Sequence, residues 1–133
     1  MSKALFAGTT DDDHTTDMAA FAARRDAQVF IAVRADGSVC GFVEAGARSI
    51  ADGCSTSPVG YVEAWYVDPD VRRAGYGRAL LEAAEAWAVD QGFREMASDA
   101  LLENDVSHEA HKRSGYVEVD RVITYRKPLP ERR

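Results

Sequence analysis

Runs of β-branched and aromatic residues, punctuated by glycine and proline, organise the middle of the chain. Residues 29–34 (Val-Phe-Ile-Ala-Val-Arg) read as a strand, Asp36-Gly37 as a turn, and 39–45 as the returning strand of a hairpin. Residues 46–58, rich in Gly, Ser and Asp and closed by Pro58, read as a loop. The strongest strand pattern spans 60–67, where Tyr61, Val62, Trp65, Tyr66 and Val67 are β-formers and Asp68-Pro69 stops the run. The period then becomes that of a helix. Over 73–91, Leu80, Ala83, Ala84 and Trp87 recur on one face, with Gly92 as the C-terminal stop. A shorter strand (93–98), a short helix (107–114) ended by Gly115, and an alternating strand (116–125) complete the pattern. Ahead of these, 15–25 is an amphipathic helix candidate with Thr16 or Asp17 as N-cap and Met18, Phe21 and Ala22 on one face. The order α-β-β-β-α-β-α-β predicts a layered α/β sheet in which 60–98 forms a right-handed parallel crossover.

Composition narrows the class. A length of 133 residues suits a single domain over 1–133, large enough to fold without a disulfide framework. Apolar residues at 46% and charged residues at 29% exclude a disordered tail protein. The 22 acidic and 16 basic side chains leave a net charge of −6, which argues against nucleic acid as a partner and for attraction of a cationic small molecule. Cys40 and Cys54 show no CxxC spacing and no nearby histidine at metal spacing, so they read as free thiols. No apolar run approaches the ~18–20 residues of a membrane helix, and the apolar start at Ala4-Leu5-Phe6 is too short for a signal peptide. A cytoplasmic protein without membrane contact is expected.

The stretch that carries chemistry is the junction between the strongest strand and the long helix: Arg72-Arg73-Ala74-Gly75-Tyr76-Gly77-Arg78. Amides at a helix N-terminus point outward, the helix dipole adds partial positive charge, and glycine lets a phosphate approach the main chain. Arg72, Arg73 and Arg78 add full charges in an otherwise acidic protein. By average composition such a spacing occurs by chance in roughly one chain in eight of this length, so its weight comes from falling at a strand-to-helix junction. A Walker A loop is excluded because no Gly-Lys-Ser/Thr follows, and a Rossmann loop because the third glycine is missing.

This junction resembles the pyrophosphate loop of the GNAT superfamily of acetyl-CoA-dependent N-acetyltransferases. Asn104, His111, Gly115 and Tyr116 are similar to that family's downstream N-x6-Y-x3-G-F pattern, with His in the Tyr position and Tyr in the Phe position. Within the superfamily the likeness is to bacterial aminoglycoside 6′-N-acetyltransferases, carried by residues 62–67, 94–99 and 121–127. The resemblance implies a mixed, mostly antiparallel sheet with a parallel β-α-β core flanked by helices. It implies acetyl transfer from acetyl-CoA to the 6′-amine of an aminoglycoside in a ternary complex, without a metal. Another small amine or polyamine as acceptor, or an inactive acyl-CoA-binding domain, are the alternatives.

The same resemblance assigns acetyl-CoA contacts to Trp65, Tyr66 and Val67 on the strand, to the loop residues Arg72, Arg73, Ala74, Gly75, Tyr76, Gly77 and Arg78, and to Asn104. Trp65 and Tyr66 read equally well as core packing; for Asn104 a helix cap is the alternative and the contact is favoured. Glu63 is a carboxylate within an apolar strand, which requires a partner or a cleft. Pairing with Arg72 or Arg94 is one solution; a cleft where it meets a substrate ammonium or its proton is the favoured one. Asp99, at the end of the next strand, is read as a substrate contact and possible base, with a turn role as the alternative. Asp120 is a weaker second ammonium contact. His111 stands where the family's tyrosine protonates the departing thiolate, and either serves as that acid or is structural. Asp11-Asp12-Asp13 suits a polycationic ligand or is a solvated lead-in. The family begins with a strand and a helix before the segment starting near Leu5, and both are expected to be largely missing here, which would leave a sheet edge for a homodimer to cover.

Overall fold

The computed structural model describes residues 27–132 and the backbone of residues 4–7. The expected helix over 15–25 and the aspartate run lie outside the described residues. The elements are β1 (Ala4–Ala7), β2 (Ala27–Val33), β3 (Val39–Arg48), β4 (Val59–Val67), a 3-10 turn (Pro69–Val71), α1 (Tyr76–Asp90), β5 (Met96–Ser98) and α2 (Asp105–Arg113). They form one five-stranded sheet in sequence order, β1-β2-β3-β4-β5. Pairing is antiparallel from β1 to β4 and parallel between β4 and β5. The mixed, mostly antiparallel sheet with a β-α-β unit is as expected. At the first edge β1 pairs with β2, Ala4 opposite Val33 and Ala7 opposite Phe30, so the described sheet begins at β1.

Helix α1 buries Tyr76, Leu80, Leu81, Ala84 and Ala88, the stripe its 3.6-residue period dictates. Of these, Tyr76, Leu80, Leu81 and Ala84 pack on Ala32, Cys40, Val43, Ala45 and Val62 from β2, β3 and β4. Trp87 and Tyr116 close the cluster from its margin. The Tyr116 hydroxyl donates to Glu85 Oε2 at 2.7 Å, which fastens the chain after α2 to α1. Burial, reinforced by that carboxylate, raises the Tyr116 phenol well above its ordinary pKa. Among the described residues no helix is long and apolar enough to cross a membrane.

Two loop anchors set where β4 begins and ends. Glu95, just before β5, accepts from the Ser55 amide at 2.9 Å, the Thr56 amide at 2.8 Å and the Thr56 hydroxyl. The Thr56 donors hold this carboxyl below the usual range. At the other end, Arg34 spans the turn after β4, with Nη2 at 2.9 Å from Asp68 Oδ2 and 2.7 Å from Asp70 Oδ1.

The strand expected over 116–125 does not form. Residues 116–132 have no regular secondary structure, and Val117, Val119, Val122, Ile123 and Tyr125 are exposed. An alternating pattern specifies two faces but not a partner, and a strand exists only when an edge receives it. Glu118 and Arg121 pair locally along this arm instead.

Candidate functional site

A cleft opens where β4 and β5 part company. Their ladder runs from Gly60 opposite Met96 to Val62 opposite Ser98 and stops there. The next residues, Glu63 and Asp99, begin the two diverging arms. A register shift in β3–β4 pairing accompanies the parting: Glu44 faces Ala64 and Ala45 faces Val62, so Glu63 is an extra residue on β4. Bulges of this kind bend a strand and re-aim its side chains. The cleft is lined by Val62, Glu63, Ala64, Trp65, Ser98 and Asp99, with Asn104, Ser107 and His111 closing it from α2.

Glu63 has both features the sequence set as alternatives: it lines the cleft and it is paired. Its partner is Arg48 at the end of β3, not Arg72 or Arg94. Arg48 Nη2 lies 2.7 Å from Oε1 and Nε 3.0 Å from Oε2, a two-point contact. The same guanidinium covers the Tyr61 ring, with Cζ 3.6 Å from its centroid. Tyr61 in turn donates its hydroxyl to Asp99 Oδ2 at 2.6 Å. Burial first, then this bond, hold the Tyr61 phenol well above its usual range. The two carboxylates thus flank one aromatic ring and one cation at the mouth of the cleft.

Opposite them stands His111, whose ring meets Trp65 edge-on at 5.1 Å between centroids. Trp65 also donates its indole N–H to the Gly77 carbonyl at 3.1 Å, so one side chain joins β4, α2 and the first turn of α1. Of the two sequence alternatives, packing describes the Trp65 side chain, which lies against the core cluster. Tyr66 is exposed beside Phe42, at 6.2 Å between ring centroids. Asn104 caps α2, accepting from the Ser107 amide at 3.1 Å, and also lines the cleft. His108 spends its Nε2 on the Leu102 carbonyl at 2.8 Å.

The arginine–glycine junction starts α1 three residues later than its apolar period suggests. Arg73 and Gly75 both have positive φ, 67° and 92°, and Gly75 is the N-cap. Alternating left-handed residues turn successive amides toward one concavity, a conformation natural to glycine. The first helical bond is Ala79 to the Gly75 carbonyl, and among the described residues no side chain caps the helix. Gly77 and Arg78 therefore have no intrahelical acceptor for their amides. Arg72 is drawn to the end of β4, its Nε at 3.0 Å from the Val67 carbonyl. Arg78 approaches Glu82 at 3.8 Å on the surface of α1.

Two sequence expectations lie elsewhere. Tyr76 turns its side chain into the core, 1% exposed, so only its main chain belongs to the loop. Asp120 sits on the exposed arm, its Oδ1 accepting from the neighbouring Arg121 amide at 2.7 Å, and does not line the cleft. Conversely, Arg48, Tyr61 and Ser98 belong to the site and were not singled out from the sequence. Ser98 could have been found as the residue before Asp99. Arg48 was hidden by the bulge, which alters which side chains of β3 and β4 meet.

Comparisons with known proteins agree with this geometry. The sequence pattern of the Acetyltransferase (GNAT) family matches residues 2–116. An aminoglycoside N(6′)-acetyltransferase type 1 of Stenotrophomonas maltophilia is 42% identical over 119 residues, 89% of this chain and 78% of the relative. One from Klebsiella aerogenes is 42% identical over 128 residues, 94% of this chain and 84% of the relative. Among solved structures, the aminoglycoside 6′-N-acetyltransferase AAC(6′)-Ih from Acinetobacter baumannii superposes with a TM-score of 0.84 at 25% identity, covering 97% of this chain and 100% of that one. AAC(6′)-Iy, solved with the bisubstrate analogue CoA-S-monomethyl-acetylneamine, gives a TM-score of 0.83 at 32% identity, with the same coverage of 97% and 100%. The matched residues include both the parted β4–β5 pair and the glycine-started helix, and the chain belongs to the GNAT family of acetyltransferases.

Proposed function

We propose that this chain transfers the acetyl group of acetyl-CoA to the 6′-amine of an aminoglycoside by direct attack. The observation that carries the reading is the cleft beyond the Val62–Ser98 rung, where Glu63, Asp99 and His111 converge beside the open N-terminus of α1. The names of the relatives and the bound analogue of AAC(6′)-Iy support the same acceptor class.

Acetyl-CoA supplies the thioester carbonyl that the amine attacks. The residues present fit that molecule: the amides of Gly77 and Arg78, with the concavity at Arg73 to Gly75, offer donors to a diphosphate. Arg72, Arg73 and Arg78 add charge there. Beyond Val62 the edge of β4 that faced β5 has no strand partner among the described residues, so the main chain of Trp65 to Val67 is available to the pantetheine arm. Glu63 and Asp99 attract the acceptor ammonium, and either receives its proton directly or through water. His111 and the cleft wall it forms serve the leaving group. Holding both reactants in one cleft lowers the entropic part of the barrier. A cytoplasmic setting, where acetyl-CoA is made, completes the reading.

Thiol release from acetyl-CoA with a panel of kanamycin, tobramycin, spermidine and simple primary amines tests this. Turnover confined to aminoglycosides carrying a 6′-amine is the expected result. Turnover with spermidine alone would move the chain to polyamine acetylation, and coenzyme A binding without any turnover would make it a binding domain.

We also propose a homodimer. The outer edge of β5 is unpaired among the described residues, while the apolar arm 117–125 of the same chain lies exposed. An edge and a strand-like segment on one chain are the two halves of a self-complementary interface. Sedimentation equilibrium should give twice the chain mass, and Val119→Glu together with Ile123→Glu should return it to the monomer.

A further inference from the structure

His111 offers the cleft no unengaged ring nitrogen. Its Nδ1 lies 2.7 Å from the Ser107 carbonyl oxygen and 3.2 Å from the Ser107 hydroxyl, and its Nε2 lies 2.8 Å from the Ser98 hydroxyl. A carbonyl oxygen only accepts, so Nδ1 carries a proton. In the neutral ring Nε2 is then the acceptor, and Ser98 donates to it. Trp65 and Tyr116 stand edge-on to the ring at 5.1 Å and 5.7 Å between centroids and hold it in this orientation. Ser98 is the last residue of β5, at the final rung before the strands part, and lines the cleft with His111. Whatever proton His111 delivers in this orientation must travel through the serine.

We infer that Ser98 is a further catalytic residue, relaying a proton from His111 to the departing thiolate; the inference rests on the acetyl-transfer reading above. Protonating the ring reverses the contact. Nε2–H now donates to Ser98 Oγ, and the serine O–H is released to donate into the cleft. As the acceptor nitrogen bonds to the carbonyl carbon, the carbon–sulfur bond breaks and its electron pair goes to sulfur. Sulfur takes the Ser98 proton, Ser98 takes the Nε2 proton, and His111 returns to its neutral Nδ1–H form. The acylated nitrogen loses its proton to water, and His111 regains one from water before the next turnover.

Among the described residues, few charged or titratable groups surround this relay. Glu63 on β4 and Asp99 after β5 line the same cleft. Tyr116, bonded to Glu85 of α1, stands beside the ring, and His108 on the ring's own helix is turned to the Leu102 carbonyl. Those groups give the ring surroundings that a single serine-to-alanine change leaves intact.

Ser98→Ala is expected to lower kcat by about a hundred-fold, the lower end of general-acid effects because a thiolate leaves readily. Acetyl-CoA affinity by calorimetry should not change, and Ser98→Thr, which keeps the hydroxyl, should restore most of the rate. Because two protons move together, kcat in mixtures of light and heavy water should follow a bowed curve for the wild type and a straight line for Ser98→Ala. A Ser98→Ala enzyme with wild-type kcat, or a slowed one with the bowed curve preserved, would overturn the relay alone. A wild-type chain that releases no thiol with any amine of the panel would overturn the acetyl-transfer reading, and the relay with it.

Discussion

Gly77→Glu is expected to abolish coenzyme A binding, weakening it by at least about a hundred-fold, because it sets a carboxylate where the helix amides would meet a diphosphate. Geometry refines the reason. A Cβ at residue 77 would stand 3.3 Å from Trp65 Cζ2 and 3.5 Å from Val67 Cγ2, so the first atom of the new side chain presses on Trp65 and not outward. Trp65 donates to the Gly77 carbonyl and packs on His111, so its displacement disturbs the cleft as well as the phosphate loop. An acidic residue in the first turn of a helix suits the dipole, so the variant should still fold. Titration calorimetry with coenzyme A, beside a melting curve, separates binding from stability. Gly77→Ala is the control: Trp65 need give way by only a few tenths of an ångström, and binding should stay within several-fold of wild type. Wild-type affinity in Gly77→Glu would remove the diphosphate from this loop.

At the other side of the cleft, Asp99→Asn should lower acceptor kcat/KM by about a hundred-fold and leave coenzyme A affinity unchanged. The amide oxygen of asparagine can still accept from the Tyr61 hydroxyl, which sits 2.6 Å from Asp99, so the loss reports charge and not collapse. Glu63→Gln should act in the same direction. Arg48→Gln should act in the opposite one. The guanidinium occupies both oxygens of Glu63, and an incoming ammonium must compete with it. This pair is partly exposed, 44% and 20% for the two side chains, so the competition is worth at most ~1 kcal/mol, or about a five-fold fall in acceptor KM. Initial-rate kinetics on the three variants with one aminoglycoside decide the matter. Unchanged kcat/KM in both carboxylate variants would take Glu63 and Asp99 out of the acceptor site.

Much of this arrangement is legible in the sequence alone. The hairpin of β2 and β3 follows from Asp36-Gly37 between two apolar runs, and β4, α1 and the glycine junction follow from local pattern alone. Pattern also placed Glu63 as the outlier of its strand and Asp99 at a strand end, which is where a cleft collects its residues, whereas Trp65 and His111 came from the family resemblance. It failed at 116–125, where strand propensity met no edge, and at Asp120, whose assignment depended on that strand. It failed at Tyr76 for the converse reason: a loop motif names residues, but the helix that starts there turns this one into the core.

Local chemistry, then, was determined by the sequence itself: glycines that permit positive φ, a helix start without a cap, a carboxylate in an apolar strand. Pairings between distant residues were decided only by the tertiary structure. Arg48 meets Glu63 because an extra residue shifts the β3–β4 register, and Tyr61 meets Asp99 because β5 lies parallel to β4 for just three rungs. His111 meets Ser98 because α2 folds back over the opened end of the sheet. Such contacts depend on register and on where a ladder stops, and both are set by the packing of the whole sheet against α1 rather than by any short stretch of chain.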